Sequence, residues 1–238
     1  RATVDGKAAE RAVVRLTGAT VYRLFVNGEF VGYGPARGPH GYDRVDEWPL
    51  KEVCKPGPNV IAIEVAGYNA NSYYHLNQPS YLQAEIVAGR RRVLAATGRD
   101  KAGFEAHLLT SRVQKVQRYS FQRTFSEVYC LTPYTDTWRT GGPLVPVKLA
   151  VRPQRPLLPR IAPYPAFHVL KPVREVASGT LTLNPDKKVW SDRAIKGVGP
   201  LFAGFPESEL TTIPLYEVQR LETAKQAREQ KPWKNGET

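Results

Sequence analysis

Residues 67–77 (GYNANSYYHLN) crowd three tyrosines, three asparagine amides and one histidine into a single short stretch. Sugars are bound by this mixture: their C–H faces stack on aromatic rings, and their hydroxyls both donate and accept hydrogen bonds, as amides and imidazole do. The candidate contacts are Tyr68, Asn69, Asn71, Tyr73, Tyr74, His75 and Asn77. A second set of the same kind, Arg37, His40 and Tyr42, with Trp48 just beyond, lies in and after the loop 34–43 (GPARGPHGYD). Packing is the competing reading. Tyr and Asn are ordinary loop residues of β-proteins, and the rings would then cover one end of the fold.

Asp43, Asp46 and Glu47 bring three carboxylates close together, a pattern suited to acid–base work or to a weak calcium site. The alternative is that they cap a turn and pair with Arg37 or Arg44. Other chemical signatures are missing: there is no G-x-S-x-G elbow, no P-loop and no H-E-x-x-H. Gly32, Gly34 and Gly38 approximate a dinucleotide loop, but the third glycine falls one place late and Pro35 is a poor start for the required helix. No cofactor and no resident metal are expected.

These loops need a rigid frame, and the pattern around them is one of short strands. In 21–26, Tyr22, Leu24 and Val26 share a face, with Arg23 on the other. Asn27-Gly28 follows and leads into 29–33; this pair is a strong hairpin signal because both residues tolerate positive φ. The turn 55–59 (KPGPN) launches 60–66, where Ile61, Ile63 and Val65 oppose Ala62 and Glu64. Leu82, Ala84 and Ile86 alternate in 81–87, and 93–97 pairs with that run across Ala88-Gly89. Segments 113–116 and 119–128 add strand-like material. Many short strands with regular turns predict an all-β, antiparallel β-sandwich.

Composition agrees. The 238 residues are 42% hydrophobic and 24% charged, enough to bury a core. No apolar run approaches the roughly 18 residues of a membrane-spanning helix, so no membrane partner is expected. Cys54 and Cys130 are too few for a disulfide scaffold or a zinc cluster, and either pair across the fold or stay as free thiols. The net charge of +12 is uneven: residues 88–124 hold nine Lys/Arg against two acids, and 146–174 hold six against none. A basic balance suits nucleic acid or an acidic partner. However, Arg90-Arg91-Arg92 sits at a hairpin end, and no nucleic-acid-binding motif accompanies it.

The texture changes at Pro143. Residues 143–172 contain eight prolines, which fix φ and remove donors, and so suit an extended connector better than a sheet interior. The expected organisation is a sandwich over 1–142, a Pro-rich connector over 143–172, and a partial β segment and tail over 173–238. Within that tail 179–183 and 211–218 read as strands, 219–230 is compatible with a helix, and 231–238 reads as a frayed end. The chain opens on Arg1 without an initiator Met, which suggests processing or an excerpt.

Several stretches together resemble a known family. Residues 22–28 (YRLFVNG), 31–38 (VGYGPARG), Tyr42-Asp43 and 58–65 (PNVIAIEV) are similar to the N-terminal β-sandwich of bacterial α-L-rhamnosidases of glycoside hydrolase family 78. The loop 34–43 points to that group, whereas the "VNG" and "G-x-N-x-I" parts recur in sandwich domains of β-galactosidases and β-glucuronidases. Residues 121–129 (FQRTFSEVY), 157–160 (LLPR) and Ala162-Pro163 also resemble its non-catalytic N-terminal region. The resemblance spans roughly 10–170. It implies a galactose-binding-like jelly roll, with catalysis in a separate, later (α/α)6 barrel that inverts using a general acid and a base-activated water. No Asp-Asn pair matches the calcium-assisted sugar site of a related module.

The expectation is therefore an ancillary, non-catalytic region of a rhamnosidase-like glycoside hydrolase. Its partners would be the catalytic domain of the parent enzyme and rhamnose-containing carbohydrate. The rivals are a purely structural interaction module, whose Lys148, Arg152, Arg155 and Arg160 dock on an acidic surface, and a basic nucleic-acid-binding β-domain. The parent enzyme's expected setting is the periplasm or the exterior, but the compartment is not legible in these residues.

Overall fold

The computed structural model describes residues 1–68, 75–89, 91–98, 103–112, 127, 129, 131–143, 145–166, 170–171 and 173–174. The strand expectations at 113–116, 119–128, 179–183 and 211–218, the helix at 219–230, the tail at 231–238 and Cys130 lie wholly or largely outside the described residues.

The described chain is mostly β. Its elements are β1 (Ala2–Asp5), a short helix α1 (Gly6–Ala9), β2 (Ala12–Ala19), β3 (Val21–Val26), β4 (Glu29–Gly34), β5 (Asp43–Pro49), β6 (Pro58–Ala66), β7 (Tyr81–Ala88), β8 (Arg92–Ala96), β9 (His107–Leu108), β10 (Val145–Pro146) and β11 (Leu157–Pro159). They form a four-stranded sheet ordered β1-β6-β3-β4, a five-stranded sheet ordered β11-β5-β2-β7-β8, and a small β10-β9 pair. Every ladder is antiparallel except β11 on β5.

The period-2 pattern builds the interior. Tyr22, Leu24, Val26 and Ile61 of the first sheet meet Val14, Leu16, Ala84, Ile86 and Ala95 of the second in one buried cluster. Each large side chain buried there is worth about 1.5–3 kcal/mol. The outer face of the four-stranded sheet is also covered, because Phe25 and Ala62 pack on Trp138 from a 3-10 turn at Thr137–Arg139. Strands 21–26, 29–33, 60–66, 81–87 and 93–97 form as expected. The hairpins fall where the sequence places them, with Asn27 at φ 52° and Gly28 at φ 89°.

The two asparagine turns are one structure. Asn59 is fully buried; its amide donates to the carbonyls of Lys55 and Gly57, and its oxygen accepts from the Lys55 amide and from Asn27 Nδ2. Asn27 Oδ1 in turn accepts from the Val60 amide at 2.9 Å. Asn27 thus supplies the αL turn residue and also the tie to its neighbour turn.

Six strands go beyond the sequence reading: β1, β2 and β5, and the short β9, β10 and β11, the last two within the proline-rich stretch read as a connector. Residues 43–49 carry four charged side chains and lack apolar alternation, which is why they read as an acidic turn. They form β5, paired with β2 through Leu16↔Asp46 and Val14↔Trp48. Gly32 and Gly34 have a packing role on the facing strand: a Cβ at Gly32 would strike the Trp48 ring, and one at Gly34 would strike Asp46 and Tyr22.

Candidate functional site

Strand register brings the two candidate loops to one end of the sandwich. In the first sheet, Tyr22 pairs with Gly34, where the 34–43 loop leaves, and Val21 pairs with Ala66, where the 67–80 segment leaves. In the second sheet that segment re-enters at Tyr81, opposite Ala19. The other loop re-enters at Asp43, three residues before the Asp46 that faces Leu16. Tyr81 joins the two re-entry points, its hydroxyl donating to Asp43 Oδ1 at 2.7 Å.

The predicted residues divide into three groups. Asn69, Asn71, Tyr73 and Tyr74 lie outside the described residues. Tyr68 and His75 come together, with ring centroids 5.1 Å apart and 26° between planes. Tyr68 is buried, its amide donates to Thr20 Oγ1 at 3.2 Å, and its hydroxyl lies 3.4 Å from Arg112 Nη2. Burial pushes the Tyr68 phenol above its ordinary pKa. Asn77, Arg37, His40 and Tyr42 are exposed. Of these, Tyr42 presents a large ring to solvent at 47% exposure. Arg44 braces this loop by donating to the Arg37 carbonyl at 2.8 Å.

Next to Tyr68 lies a charged network that no local pattern of residues announces. Glu64 is buried on the outer face of β6 and accepts from Arg23 Nε and Arg112 Nη1, both at 2.9 Å. Arg112 also reaches Glu127 at 3.0 Å, and Arg23 reaches the Tyr129 hydroxyl at 3.2 Å. The network fixes Arg112, and through it the start of the aromatic loop.

The acidic run does not gather into one carboxylate cluster. Strand alternation sends Asp43 and Glu47 to the outer face and Asp46 to the interior, so the three cannot converge on one ion. No group of three or more His, Cys, Asp or Glu able to hold a metal occurs among the described residues. Nor do these acids pair with Arg44, which donates instead to the carbonyls of Arg37 and Pro159. Glu47 pairs with Arg15 at 2.7 Å, while Asp43 and Asp46 pair with Arg152 and Arg160 from the connector.

Each of those two connector pairs has an aromatic wall. Arg152 lies over Tyr81, its Cζ 3.4 Å from the ring centroid, while it bonds Asp43. Arg160 bonds Asp46 Oδ1 at 3.1 Å and lies over Tyr164 at 4.3 Å. Asp46 Oδ2 accepts from the Tyr22 hydroxyl, which accepts from Trp48 Nε1 at 2.9 Å. Burial first, and then Asp46, raise the Tyr22 phenol far above its usual range. Trp48 therefore turns inward and packs against Tyr164, with centroids 4.5 Å apart, and so does not join the exposed loop set. Cys54 is a half-buried free thiol whose pKa burial raises.

At the opposite end, Lys7, Glu10, Arg11, Gly89 and Arg92 line an open, polar depression between α1 and the β7–β8 hairpin.

No protein-family model matches the chain, and no curated protein matches it. Among solved structures, the chain is similar to the GH78 family rhamnosidase of Bacillus sp. GL1. The TM-score is 0.54 and the identity 26%; the match covers 68% of this chain and 18% of that one. The chain thus spans under a fifth of the length of that rhamnosidase.

Proposed function

We propose that this chain is an ancillary, non-catalytic region of an α-L-rhamnosidase-like glycoside hydrolase, a galactose-binding-like jelly roll that supports the catalytic domain. The observation that carries this reading is the likeness to a GH78 rhamnosidase over 68% of the chain. The state of the buried acids supports it. Asp43 and Asp46 each bond one arginine and one tyrosine, and Glu64 bonds two arginines, inside the fold, as structural ties do. A hydrolytic pair needs two carboxyl groups facing a substrate-sized gap.

A second reading adds sugar contact at the loop-bearing end. It is favoured by the exposed Tyr42, His40, Arg37 and Asn77, which belong to two loops that leave the same end of the sandwich. Two experiments test both readings. The purified chain should release no product from an aryl α-L-rhamnoside, and turnover by the chain alone would overturn the ancillary role. Calorimetric titration with L-rhamnose and rhamnosyl oligosaccharides then separates the readings: heat at millimolar sugar supports contact, and its absence leaves support of the catalytic domain as the role. Retention on heparin that falls steeply with salt would instead favour the nucleic-acid alternative.

A further inference from the structure

The connector is rich in proline and arginine, the composition of a spacer, yet it is bound along the sandwich. Arg152 and Arg160 reach Asp43 and Asp46, whose side chains are only 3% and 0% exposed. Between the two arginines, β11 adds a parallel edge strand to β5, with the Asp43 amide donating to the Pro156 carbonyl at 3.0 Å and the Arg160 amide to the Val45 carbonyl at 3.1 Å. Tyr164 closes the arrangement: its hydroxyl donates to the Glu47 carbonyl at 2.9 Å and accepts from the Glu47 amide at 2.7 Å. Arg155 adds a contact to Gln78 at 3.2 Å. Strand addition combined with side-chain slots is the usual grammar of peptide recognition.

We infer that residues 152–164 are a docking segment and that the sandwich carries a built binding site for it. One slot lies on each face of the five-stranded sheet: Asp43 with Tyr81 outside, and Asp46 with Tyr22 and Trp48 inside. The ligand class is a basic, aromatic peptide strand, supplied in cis. Two buried carboxylates left without their arginines would be strongly unfavourable, so the docked state of the segment is strongly favoured. The segment then fixes the point and direction in which the chain leaves the sandwich. This inference does not depend on the glycosidase reading and would stand if the rhamnoside experiments failed.

Hydrogen exchange on the full chain tests it. In the wild type, the amides of Asp43 and Arg160 should exchange slowly, and so should the reference amide of Asn27, which is bonded to the Val60 carbonyl. In R152Q/R160Q, protection at positions 43 and 160 should fall by about tenfold or more relative to Asn27. If that variant does not fold, D43N/D46N/R152Q/R160Q removes all four charges. It should recover the protection of Asn27 while positions 43 and 160 stay fast. Unprotected amides at 43 and 160 in the wild type, or unchanged protection in R152Q/R160Q, would overturn the inference. So would a quadruple variant that remains unfolded.

Discussion

Tyr22→Phe isolates one oxygen at the centre of the polar interior. Tyr22 is 1% exposed, and its ring packs in the core whether or not the hydroxyl is present. The substitution removes the donor to Asp46 and leaves Trp48 Nε1 facing a hydrocarbon edge. A bond to a charged acceptor is worth about 1.5–3 kcal/mol, and a stranded buried donor costs about 1–3 kcal/mol. Both losses share one atom and are not additive, so the expected destabilisation is about 2–4 kcal/mol. For a unit of this size that lowers the thermal midpoint by roughly 6–12 °C. Urea unfolding of the full chain reads it, with Tyr134→Phe as the control, because Tyr134 is 76% exposed and should move by less than about 0.5 kcal/mol. Alkaline pH gives a second reading. The folded-state Tyr22 pKa is raised, so its contribution is complete below the unfolded value of about 10 and is lost as pH climbs above it, by about 1.4 kcal/mol per unit. The phenylalanine variant lacks that slope, and its deficit should shrink above pH 10. A Tyr22→Phe protein as stable as Tyr134→Phe would refute the buried network.

Three further outcomes are expected. Asn59→Ala removes the four hydrogen bonds of the Asn59 side chain, one to Asn27 and three within the 55–59 turn, and should cost about 2–4 kcal/mol in the same urea assay. Glu64→Gln takes the charge from between Arg23 and Arg112; it should destabilise by about 3 kcal/mol and speed trypsin cleavage after Arg112, followed by mass spectrometry of the fragments. Tyr42→Ala, on an exposed loop, should leave the urea midpoint within about 0.5 kcal/mol of wild type. Under the sugar-contact reading it should also weaken the calorimetric signal for rhamnose.

The sequence was most legible where one sheet face is oily and the other wet. Tyr22, Leu24 and Val26, or Leu82, Ala84 and Ile86, declare their inner face by alternation alone, and Asn27-Gly28 declares the turn between strands. Legibility failed where the interior is polar. In β5 the inward residues are Asp46 and Trp48, so the buried face looks hydrophilic and the strand reads as a turn. The partners that make such burial tolerable lie 109 and 114 residues away, a separation that no local pattern encodes. The same holds for Glu64, which joins Arg112 48 residues on. Of the candidate site, the sequence named Tyr68 and His75, which do meet, but could not say that Tyr68 would be buried.

The acidic run shows how far residue type is from role. Three carboxylates within five positions suggest chemistry, but a strand points neighbours to opposite faces, and each carboxylate then meets what that face provides. On the outer face Asp43 is held between a tyrosine hydroxyl and an arginine stacked on the same ring. On the inner face Asp46 has a tyrosine on one oxygen and an arginine on the other. Those partners fill the positions from which a water or a sugar hydroxyl would have to approach. The glycines of β4 belong to the same design, since Gly34 leaves the space that the Asp46 carboxylate and the Tyr22 hydroxyl occupy. What looked like a dinucleotide loop beside an acid–base cluster is one packing solution: small residues on one sheet make room for charged residues on the other, and a basic strand arriving from more than a hundred residues downstream neutralises them.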